Sequence, residues 1–468
     1  MPLQIIIVGA GIAGLSAGVA LRRAGHDVHI YERSGMNNEV GAAINVPPNA
    51  SRFLTAWGID PVASRWVKAR CTSFLDPATL DVGLAIPQNT EQSRARFGGA
   101  ELWYAHRVDL HDALKRMATG KGGPGRPVVI HLKAAVVGYD PDTPSITLAD
   151  GTVMQGDLVI GADGIHSLAA EAVLGRKIEP APPAHYNFCY RFLIPAETLA
   201  ADPVTKFWTT SADGGPPGLR IVTHNETSRR MVSYPCRDYE VHNFVGIFCE
   251  ESVKPTTRED YLATVDKATL LEKYAGFHPS LLAVLDKATD IKRWPLLYRP
   301  PVSTWRRGRL VLAGDAAHPM LPHQGQGGAQ GLEDGCVLGI VLAGASTPAE
   351  VEKRLELYEK TRRNRASVIQ ILSNVGADQS HLVFDELKEY MDEKDIPTSP
   401  PEINALAFGY DAVAAATKVM REYDPSFEVP LALLRADAED DKAEVEGGGE
   451  HNTLMTYVGM VRRFFGFA

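Results

Sequence analysis

Three glycines near the start of the chain, Gly9, Gly11 and Gly14, have GxGxxG spacing and precede an acidic residue, Glu32. In this pattern the first glycine permits a tight turn, the second lets a pyrophosphate approach the backbone, and the third allows close helix–strand contact. Glu32 stands close to the ~20 residues downstream at which an acidic side chain binds ribose hydroxyls. The pattern predicts a dinucleotide with an unmodified 2′-hydroxyl, FAD or NAD rather than NADP.

The residues around these glycines predict the elements that position them. Residues 4–8 form an apolar, β-branched run typical of a strand buried on both faces of a parallel sheet. Residues 15–24 are small and apolar, which suits a helix packed on that strand, and residues 27–31 form a second strand. The helix would direct its N-terminus at the phosphates. A purely structural glycine turn is the alternative.

The composition argues against several classes of function. A length of 468 residues exceeds one hydrophobic core and predicts two or three domains. A formal net charge of −9 and an isoelectric point near 5.9 argue against nucleic acid and acidic membranes as partners. Five scattered cysteines suggest neither a metal site nor a disulfide framework, and no apolar stretch reaches the ~20 residues that span a bilayer. With no signal segment before the first strand, we expect a cytoplasmic protein.

Changes along the chain predict an interrupted domain organisation. Alternating, aromatic-rich strands at 188–194, 206–210, 219–223, 230–234 and 243–249 indicate a separate sheet. Helical character dominates after residue 332, and the stretches 388–401 and 436–451 indicate exposed loops. We predict a nucleotide-binding domain from segments 1–70, 101–180 and 296–345, a substrate domain from 71–100 and 181–295, and a C-terminal helical region at 346–468.

Further motifs follow the glycine-rich start in a recognisable order. The sequence GADG at 161–164 ends a short apolar strand, and GDAAHP at 314–319 ends another that follows Trp305. With PHQGQG at 322–327, residues 1–370 resemble the single-component FAD-dependent aromatic hydroxylases (class A flavoprotein monooxygenases), especially the salicylate hydroxylase-like branch. The resemblance implies an α/β fold with a Rossmann-like FAD-binding domain, an inserted, mostly antiparallel β-sheet substrate domain and a C-terminal helical region.

The resemblance also implies which residues bind FAD: Gly9, Gly11, Gly14, Glu32, Arg33, Ala43, Arg107, Asp163, Asp315, Gly328 and Ala329. Asp315 would accept a hydrogen bond from a ribityl hydroxyl, with a helix cap as the alternative. Arg107 would pair with the pyrophosphate or ribityl chain, unless it is an ordinary surface arginine. Asp163 would position the flavin and the nicotinamide donor, or form an Asp-Gly turn. Backbone N–H groups near Gly328 and Ala329 would face the flavin ring, although a close-packed helix start needs the same small residues.

Two side chains are candidates for catalysis, Arg191 in the inserted sheet and His323 in the loop beside the flavin. Arg191 would anchor an anionic substrate or donate to the peroxide or leaving oxygen, although a charge that alternates with aromatics also suits a solvent-facing strand. His323 would take a phenolic proton, because imidazole titrates near neutral pH, with loop packing as the alternative. Tyr234 and Trp208 are weaker candidates for pocket lining.

The function implied by the resemblance is that of an FAD-dependent monooxygenase. NADH or NADPH, as a transient co-substrate, would reduce the flavin, O2 would add at C4a, and the hydroperoxide would hydroxylate a phenolic or salicylate-like ring. On the same scaffold the chain could instead epoxidise or oxidise an indole, polyketide or prenylated substrate of secondary metabolism. A non-catalytic flavin-fold binding protein is a third alternative. We expect a monomer or homodimer whose partners are small molecules.

Overall fold

The computed structural model describes residues 1–36, 41–180, 188–211, 213–224, 227, 229–248 and 264–436. The strands are β1 (Gln4–Val8), β2 (Asp27–Glu32), β3 (Ala43–Val46), β4 (Val67–Lys68), β5 (Cys71–Leu75), β6 (Val82–Pro87), β7 (Trp103–His106), β8 (Val129–Leu132), β9 (Val136–Asp140), β10 (Ser145–Leu148), β11 (Val153–Gln155), β12 (Leu158–Gly161), β13 (Phe188–Pro195), β14 (Leu219–His224), β15 (Arg229–Cys236), β16 (Val241–Phe248), β17 (Lys292–Pro295), β18 (Arg306–Arg307) and β19 (Leu310–Leu312).

The α-helices are α1 (Ile12–Arg23), α2 (Pro48–Ala56), α3 (Glu91–Arg96), α4 (Arg107–Thr119), α5 (Leu168–Leu174), α6 (Ala196–Ala200), α7 (Lys267–Lys273), α8 (Pro279–Asp286), α9 (Gly327–Leu342), α10 (Pro348–Leu372), α11 (Phe384–Leu387), α12 (Pro400–Phe408) and α13 (Ala412–Tyr423). Short 3₁₀ helices cover Lys206–Thr209, Gly314–Ala316, Pro322–Gln324, Ala377–Val383, Glu393–Asp395 and Leu431–Leu433.

A six-stranded sheet in the order β18-β19-β12-β1-β2-β8 forms the centre of the nucleotide-binding half. β1 pairs in parallel with β2 and β12, and its residues after Gln4 are buried, as the apolar run predicts. α1 begins directly after the glycine turn and packs against α9. A Cβ at Gly14 would collide with the carbonyl oxygen of Gly9, so glycine is what lets α1 lie this close to the turn. The predicted Rossmann-like unit is confirmed.

The inserted sheet has seven strands in the order β17-β13-β16-β15-β14-β5-β6. Its pairs are antiparallel except for β14 with β5, which is parallel. Because side chains alternate along a strand, the two faces of the sheet differ. One face, with Tyr190, Phe192 and Phe244, forms an apolar core with α7 and α8. The other face, with Arg191 and Val245, lines a cavity against the nucleotide-binding half.

The C-terminal helices extend the core of the nucleotide-binding half. Tyr358 of α10 is buried in the same apolar cluster as β1 and α9, and its hydroxyl donates to the carbonyl oxygen of Leu312 at 3.0 Å. Ile403 of α12 belongs to the same apolar cluster as Val368 and Leu372 of α10. The domain boundary between residues 345 and 346 stays a prediction. The apolar core of the nucleotide-binding half continues across this boundary into α10.

The α/β fold class predicted from the sequence is confirmed, with two local corrections. The strand predicted at 206–210 is wrong: Lys206–Thr209 is a 3₁₀ helix, in which the N–H of Trp208 donates to the carbonyl of Thr205 at 3.0 Å. The aromatic residues of this segment suggested a strand. Trp208 is instead part of the 3₁₀ helix, and its side chain is buried in the apolar core of the inserted sheet. The loop predicted at 388–401 contains the 3₁₀ helix Glu393–Asp395 and the start of α12.

Of the loop predicted at 436–451, residues 437–451 lie outside the described residues. None of the helices in the described ranges has the length and hydropathy needed to cross a bilayer.

Candidate active site

A cavity of about 540 Å³ lies where the carboxyl ends of the central strands meet the inserted sheet. Open α/β sheets bind ligands at this edge, and the volume lies within the ~300–1,000 Å³ typical of small-molecule sites. Two walls face each other. The cofactor wall comes from the nucleotide-binding half and includes Gly11, Asn45, Arg107, Asp315 and Gly328; the substrate wall comes from the inserted sheet and includes Phe74, Arg191, Ile221, Arg230, Val232 and Val245.

The glycine turn gives the cofactor wall an exposed backbone. Gly9 adopts a φ of +100°, which side-chain-bearing residues rarely do. A Cβ at Gly11 would meet nothing within 4 Å, so the missing side chain leaves open space in the cavity. α1 starts at Ile12 with no side-chain cap and no acidic residue in its first turn. Its unsatisfied N–H groups and positive dipole end fit the predicted pyrophosphate.

Glu32 and Arg33 lie at the end of β2 and do not contribute to the cavity lining. The Glu32 carboxylate accepts hydrogen bonds from the N–H of Ala10 at 2.9 Å and of Ser34 at 2.7 Å. Burial opposes its ionisation, but these hydrogen bonds outweigh burial and lower the pKa of Glu32. Glu32 is therefore an anion, and each oxygen retains acceptor capacity for a ribose hydroxyl. Arg33 is exposed.

Asp315 and Arg107 both line the cavity. The Asp315 carboxylate is open to the cavity but otherwise surrounded by protein. Burial raises the pKa of Asp315, and the nearby positive charges of His318, Arg299 and Arg107 only partly offset this increase. Arg299 donates to the carbonyl oxygen of Asp315 at 2.8 Å and so fixes the turn. Arg107 begins α4, and its N–H donates to the carbonyl of Ala42 at 2.9 Å. A cation and a carboxylate thus stand at one wall.

Asp163 lies beside the cavity rather than in its lining, between two residues that do line it, Ala162 and Gly164. Its Oδ2 accepts from the Tyr139 hydroxyl at 2.9 Å and from the N–H of Ala169 at 3.1 Å. One oxygen is thus used structurally, at the start of α5. Its Oδ1 is buried without a hydrogen-bond partner among the described residues.

The loop before α9 closes the cofactor wall. Gly325 has a φ of +62°, and α9 starts at Gly327 with no side-chain cap, so its first N–H groups are not bonded within the helix. Gly328 lines the cavity, whereas Ala329 is buried behind it. This backbone edge fits the predicted contact with a flavin ring.

β3 supplies two residues to the same wall. Both backbone groups of Ala43 are bonded to the inserted sheet: its N–H donates to Asn243 at 3.3 Å, and its carbonyl accepts from the Tyr234 hydroxyl at 2.9 Å. Asn45, which the sequence analysis missed, lines the cavity with a buried Oδ1 that has no partner in the described part of the chain. An orphaned acceptor at this point fits a ligand that donates, as the pyrimidine edge of a flavin does.

A buried charge cluster, formed by His318, Glu333, Asp334 and Arg362, lies behind the Asp315 turn. Asp334 accepts from the N–H of Gly314 at 2.8 Å and lies 2.6 Å from His318 Nε2. Its other oxygen accepts from Arg362 Nε at 2.8 Å, and Arg362 also pairs with Glu333. Burial opposes ionisation of Asp334, but His318 and Arg362 outweigh it and lower its pKa to about 2. The cluster holds the turn that presents Asp315.

Arg191, one of the two predicted catalytic residues, lies on the substrate wall. Arg191 lines the cavity, and its guanidinium lies 4.8 Å from the ring centroid of Trp294. Its Nε is buried without a hydrogen-bond partner among the described residues. The alternative of a solvent-facing Arg191 therefore fails. Tyr234 also lines the cavity, whereas Trp208 lies in the core on the opposite face.

His323 lies in the cavity lining, at the junction of the two walls. Burial and then the charge of Arg230 lower the pKa of His323 to about 3. Arg230 of β15 lines the same cavity and was not among the site residues predicted from the sequence. The expectation that this imidazole titrates near neutral pH is therefore wrong, because its cationic form is both desolvated and repelled. His323 is a neutral hydrogen-bonding group at physiological pH.

A third group of lining residues comes from the C-terminal region. Pro400, Asn404 and Phe408 of α12 all line the cavity, spaced so that they share one helix face. The Phe408 ring packs edge-on to Phe97 at 5.8 Å. Arg365 of α10 holds the end of α12 through the carbonyl oxygens of Leu406 and Ala407, at 2.9 and 2.8 Å.

Comparisons with known proteins agree with this geometry. Residues 145–371 match a family model described as an FAD binding domain, and residues 7–42 match an NAD(P)-binding Rossmann-like domain. An FAD-dependent monooxygenase of Aspergillus candidus is 49% identical over 427 residues, which are 91% of this chain and 97% of the relative. Hispidin-3-hydroxylase of Neonothopanus nambi is 32% identical over 429 residues, 89% of this chain and 96% of the relative. A salicylate hydroxylase substrate complex matches with a TM-score of 0.67 at 22% identity, over 89% of this chain and 98% of that one.

Proposed function

Because the chain belongs to the FAD-dependent monooxygenases of the aromatic hydroxylase family, we propose that it uses NADH or NADPH and O2 to hydroxylate an aromatic substrate that carries an acidic hydroxyl group. The family and the FAD cofactor predicted from the sequence are confirmed. The nicotinamide, the oxygen chemistry and the substrate class form the proposal.

The observation that carries the proposal is the pairing of two unlike walls around one cavity. The cofactor wall presents backbone N–H groups at two helix starts without a side-chain cap, and the substrate wall presents the buried Nε of Arg191, which has no hydrogen-bond partner among the described residues. Bound FAD would accept hydride from the nicotinamide and activate O2 for transfer of one oxygen atom. Gly11, Arg107, Asn45, Asp315 and the start of α9 are the groups that would hold it.

Arg191 would bind the ionised oxygen of the substrate. A charge-assisted hydrogen bond contributes roughly 1.5–3 kcal/mol, which favours the anionic form of a phenol or enol. The electron-rich anion is the form that attacks an electrophilic oxygen atom. Among the described side chains that line the cavity, the single carboxylate is Asp315 on the cofactor wall. A substrate anion at Arg191 is therefore not repelled by a negative side chain on the substrate wall.

His323 would position the substrate rather than remove its proton. With its pKa lowered to about 3 by burial and by Arg230, neutral imidazole is a poor base but a good hydrogen-bonding group. The substrate would then enter as the anion, or lose its proton to solvent on binding at Arg191. This replaces the combined action of Arg191 and His323 expected from the sequence.

The nicotinamide would bind only transiently. In the described part of the chain, the glycine turn between β1 and α1 lies in the segment that matches an NAD(P)-binding Rossmann-like domain, and we assign FAD to this turn. NADH or NADPH must therefore approach the flavin through the open side of the cavity. The non-catalytic alternative has no support, since the two relatives are named a monooxygenase and a hydroxylase.

The test uses the purified full chain saturated with FAD. We expect 4-hydroxy-2-pyrones or hydroxybenzoates to stimulate NADH or NADPH oxidation and to gain one oxygen atom from ¹⁸O2, as read by mass spectrometry. Nicotinamide oxidation that yields only hydrogen peroxide with every aromatic tested would refute the hydroxylation.

A second candidate is oxidation or epoxidation of an indole, polyketide or prenylated compound of secondary metabolism. The fungal sources of the relatives and the apolar residues of the substrate wall favour it. The two candidates share the cofactor wall and differ only in the product. Identification of the oxygenated product, as a phenol or as an epoxide, separates them.

A further inference from the structure

The substrate wall contains a row of directly paired residues that crosses five strands. Arg191 of β13 pairs with Val245, Val245 with Val232, Val232 with Ile221, and Ile221 with Phe74 of β5. All five line the cavity, so they share one face of the sheet. Four strand spacings of about 4.8 Å give the row a length of roughly 19 Å. That length exceeds what a single aromatic ring can cover.

The row is polar at one end and apolar along the rest. The guanidinium of Arg191 and the ring of Trp294 form the polar end. Val232, Ile221 and Phe74 are only partly buried, in contrast to Val222 and Met231, which alternate with them and are fully buried on the opposite face. Apolar side chains left open to a cavity gain free energy when an apolar ligand covers them.

α12 borders the apolar part of the row, since Phe408 packs against the same cluster as Ile221 and Val232. Phe408 packs against the cluster that contains Leu219 and Tyr234, the neighbours of this row on β14 and β15. One turn earlier, Asn404 also lines the cavity. An aromatic ring and an amide side chain of α12 thus border the apolar part of the row.

We propose that the substrate has two parts, an acidic ring held at Arg191 and an apolar arm that lies along Val232, Ile221 and Phe74 and ends at Phe408 and Asn404. This inference rests on the proposed function and adds the shape of the substrate. It distinguishes an arylalkenyl, prenyl or polyketide-like compound from a small monocyclic acid. Phe408 and Asn404 are then specificity-determining residues, and Arg365, which holds the end of α12, is a positioning residue.

The experiment compares two compounds that share one acidic ring: 4-hydroxy-6-methyl-2-pyrone, without the arm, and 4-hydroxy-6-styryl-2-pyrone, with it. Binding to the FAD-loaded full chain is measured from the change in flavin absorbance, and turnover from nicotinamide oxidation and oxygenated product. Burial of the arm should lower Kd by on the order of 100-fold. Kd values within threefold of each other, or no binding of the styryl compound, would overturn the inference.

Variants locate the arm. Phe408→Ala should raise Kd for the styryl compound roughly tenfold and leave Kd for the methyl compound unchanged. Leu406→Ala is the matched control, because Leu406 lies on the same helix but packs toward α10. Ile221→Trp should fill the groove and abolish the preference for the styryl compound. If Leu406→Ala changes the preference as much as Phe408→Ala does, the assignment of the arm to α12 is wrong.

The outcomes separate the two proposals. Tight binding of the styryl compound without an oxygenated product would contradict the proposed hydroxylation and support the two-part cavity. Equal oxygenation of both compounds would support the hydroxylation and overturn the two-part substrate. For Asn404, a styryl ring with a terminal hydroxyl should lose affinity about fivefold in Asn404→Leu, but not in the control Ala405→Leu.

Discussion

The two walls of the cavity are built in different ways. The cofactor wall acts mainly through backbone: the glycine turn, the N–H groups at the starts of α1 and α9, and the Gly314–Ala316 turn. The substrate wall acts through side chains that alternate along strands, such as Arg191 and Ile221. Backbone recognition tolerates change in neighbouring side chains, whereas a side-chain wall changes its ligand with single substitutions. The difference predicts that variants of each wall affect one ligand and leave the other unchanged.

The comparison is tested most severely by Gly11→Val. A Cβ at this position would meet nothing within 4 Å, so we expect the fold to persist while the side chain fills the pyrophosphate position. We expect a folded protein that binds no FAD, measured by flavin absorbance and circular dichroism. Gly122→Val is a matched control, since its Cβ also meets nothing but lies outside this cavity. Wild-type FAD content in Gly11→Val would contradict a backbone-built site.

Asp315→Ala should weaken FAD binding without affecting the inserted sheet. Loss of a charge-assisted hydrogen bond to the cofactor costs roughly 1.5–3 kcal/mol, which corresponds to about 10- to 150-fold in Kd. Fluorescence titration of the FAD-free protein with FAD measures the change. An unchanged Kd would mean that Asp315 serves only as a structural residue of its turn.

Arg191→Met should weaken substrate binding and spare FAD binding. The expected increase in Kd for 4-hydroxy-6-styryl-2-pyrone is about 10- to 100-fold, because the ionised oxygen loses its partner. Arg70→Met is a control at an exposed arginine that pairs with Asp213. An equal loss of FAD and substrate affinity in Arg191→Met would show that the two walls are not independent.

His323→Asn should change the pH dependence of stability more than the chemistry. The folded-state pKa of about 3 lies below the ordinary value, so the unfolded chain binds the proton first as the pH falls. The penalty is absent above about pH 6.5 and grows below it. Between pH 7.5 and pH 5 wild type should lose on the order of 2 kcal/mol more unfolding free energy than His323→Asn. Urea denaturation at both pH values measures this difference, and parallel losses would contradict the desolvated state of His323.

The same contrast explains what could be predicted from the sequence. The local backbone demands glycine at Gly9 and Gly14, and a bound pyrophosphate would need the open space at Gly11, so their spacing alone predicted the turn and the parallel strands around it. Arg191 was recognised as a charge between aromatics, but the face to which it points depends on the pairing of β13 with β16 and β17. Without that pairing, cavity and solvent were equally compatible with the pattern.

Two contributions could not be inferred from local pattern. Asn404 and Phe408 share a helix face, but the docking of α12 against α10 decides which face meets the cavity. The low pKa of His323 depends on Arg230, which is distant in sequence and adjacent only after β15 is in place. Asn45 lies in a Gly- and Pro-punctuated stretch after β2, a composition that lets backbone approach a ligand but indicates no particular side chain.

The buried charge cluster has a consequence for chimaeric enzymes. Exchanging C-terminal regions between relatives is a natural way to transfer α12 and its substrate preference. A junction at residue 346 would separate Glu333 and Asp334 from the arginine that neutralises them, since Arg362 lies on α10. Uncompensated carboxylates in the interior are strongly destabilising. Junctions placed after α10, beyond Leu372, keep that ion network native and exchange α12 while the inserted sheet stays unchanged.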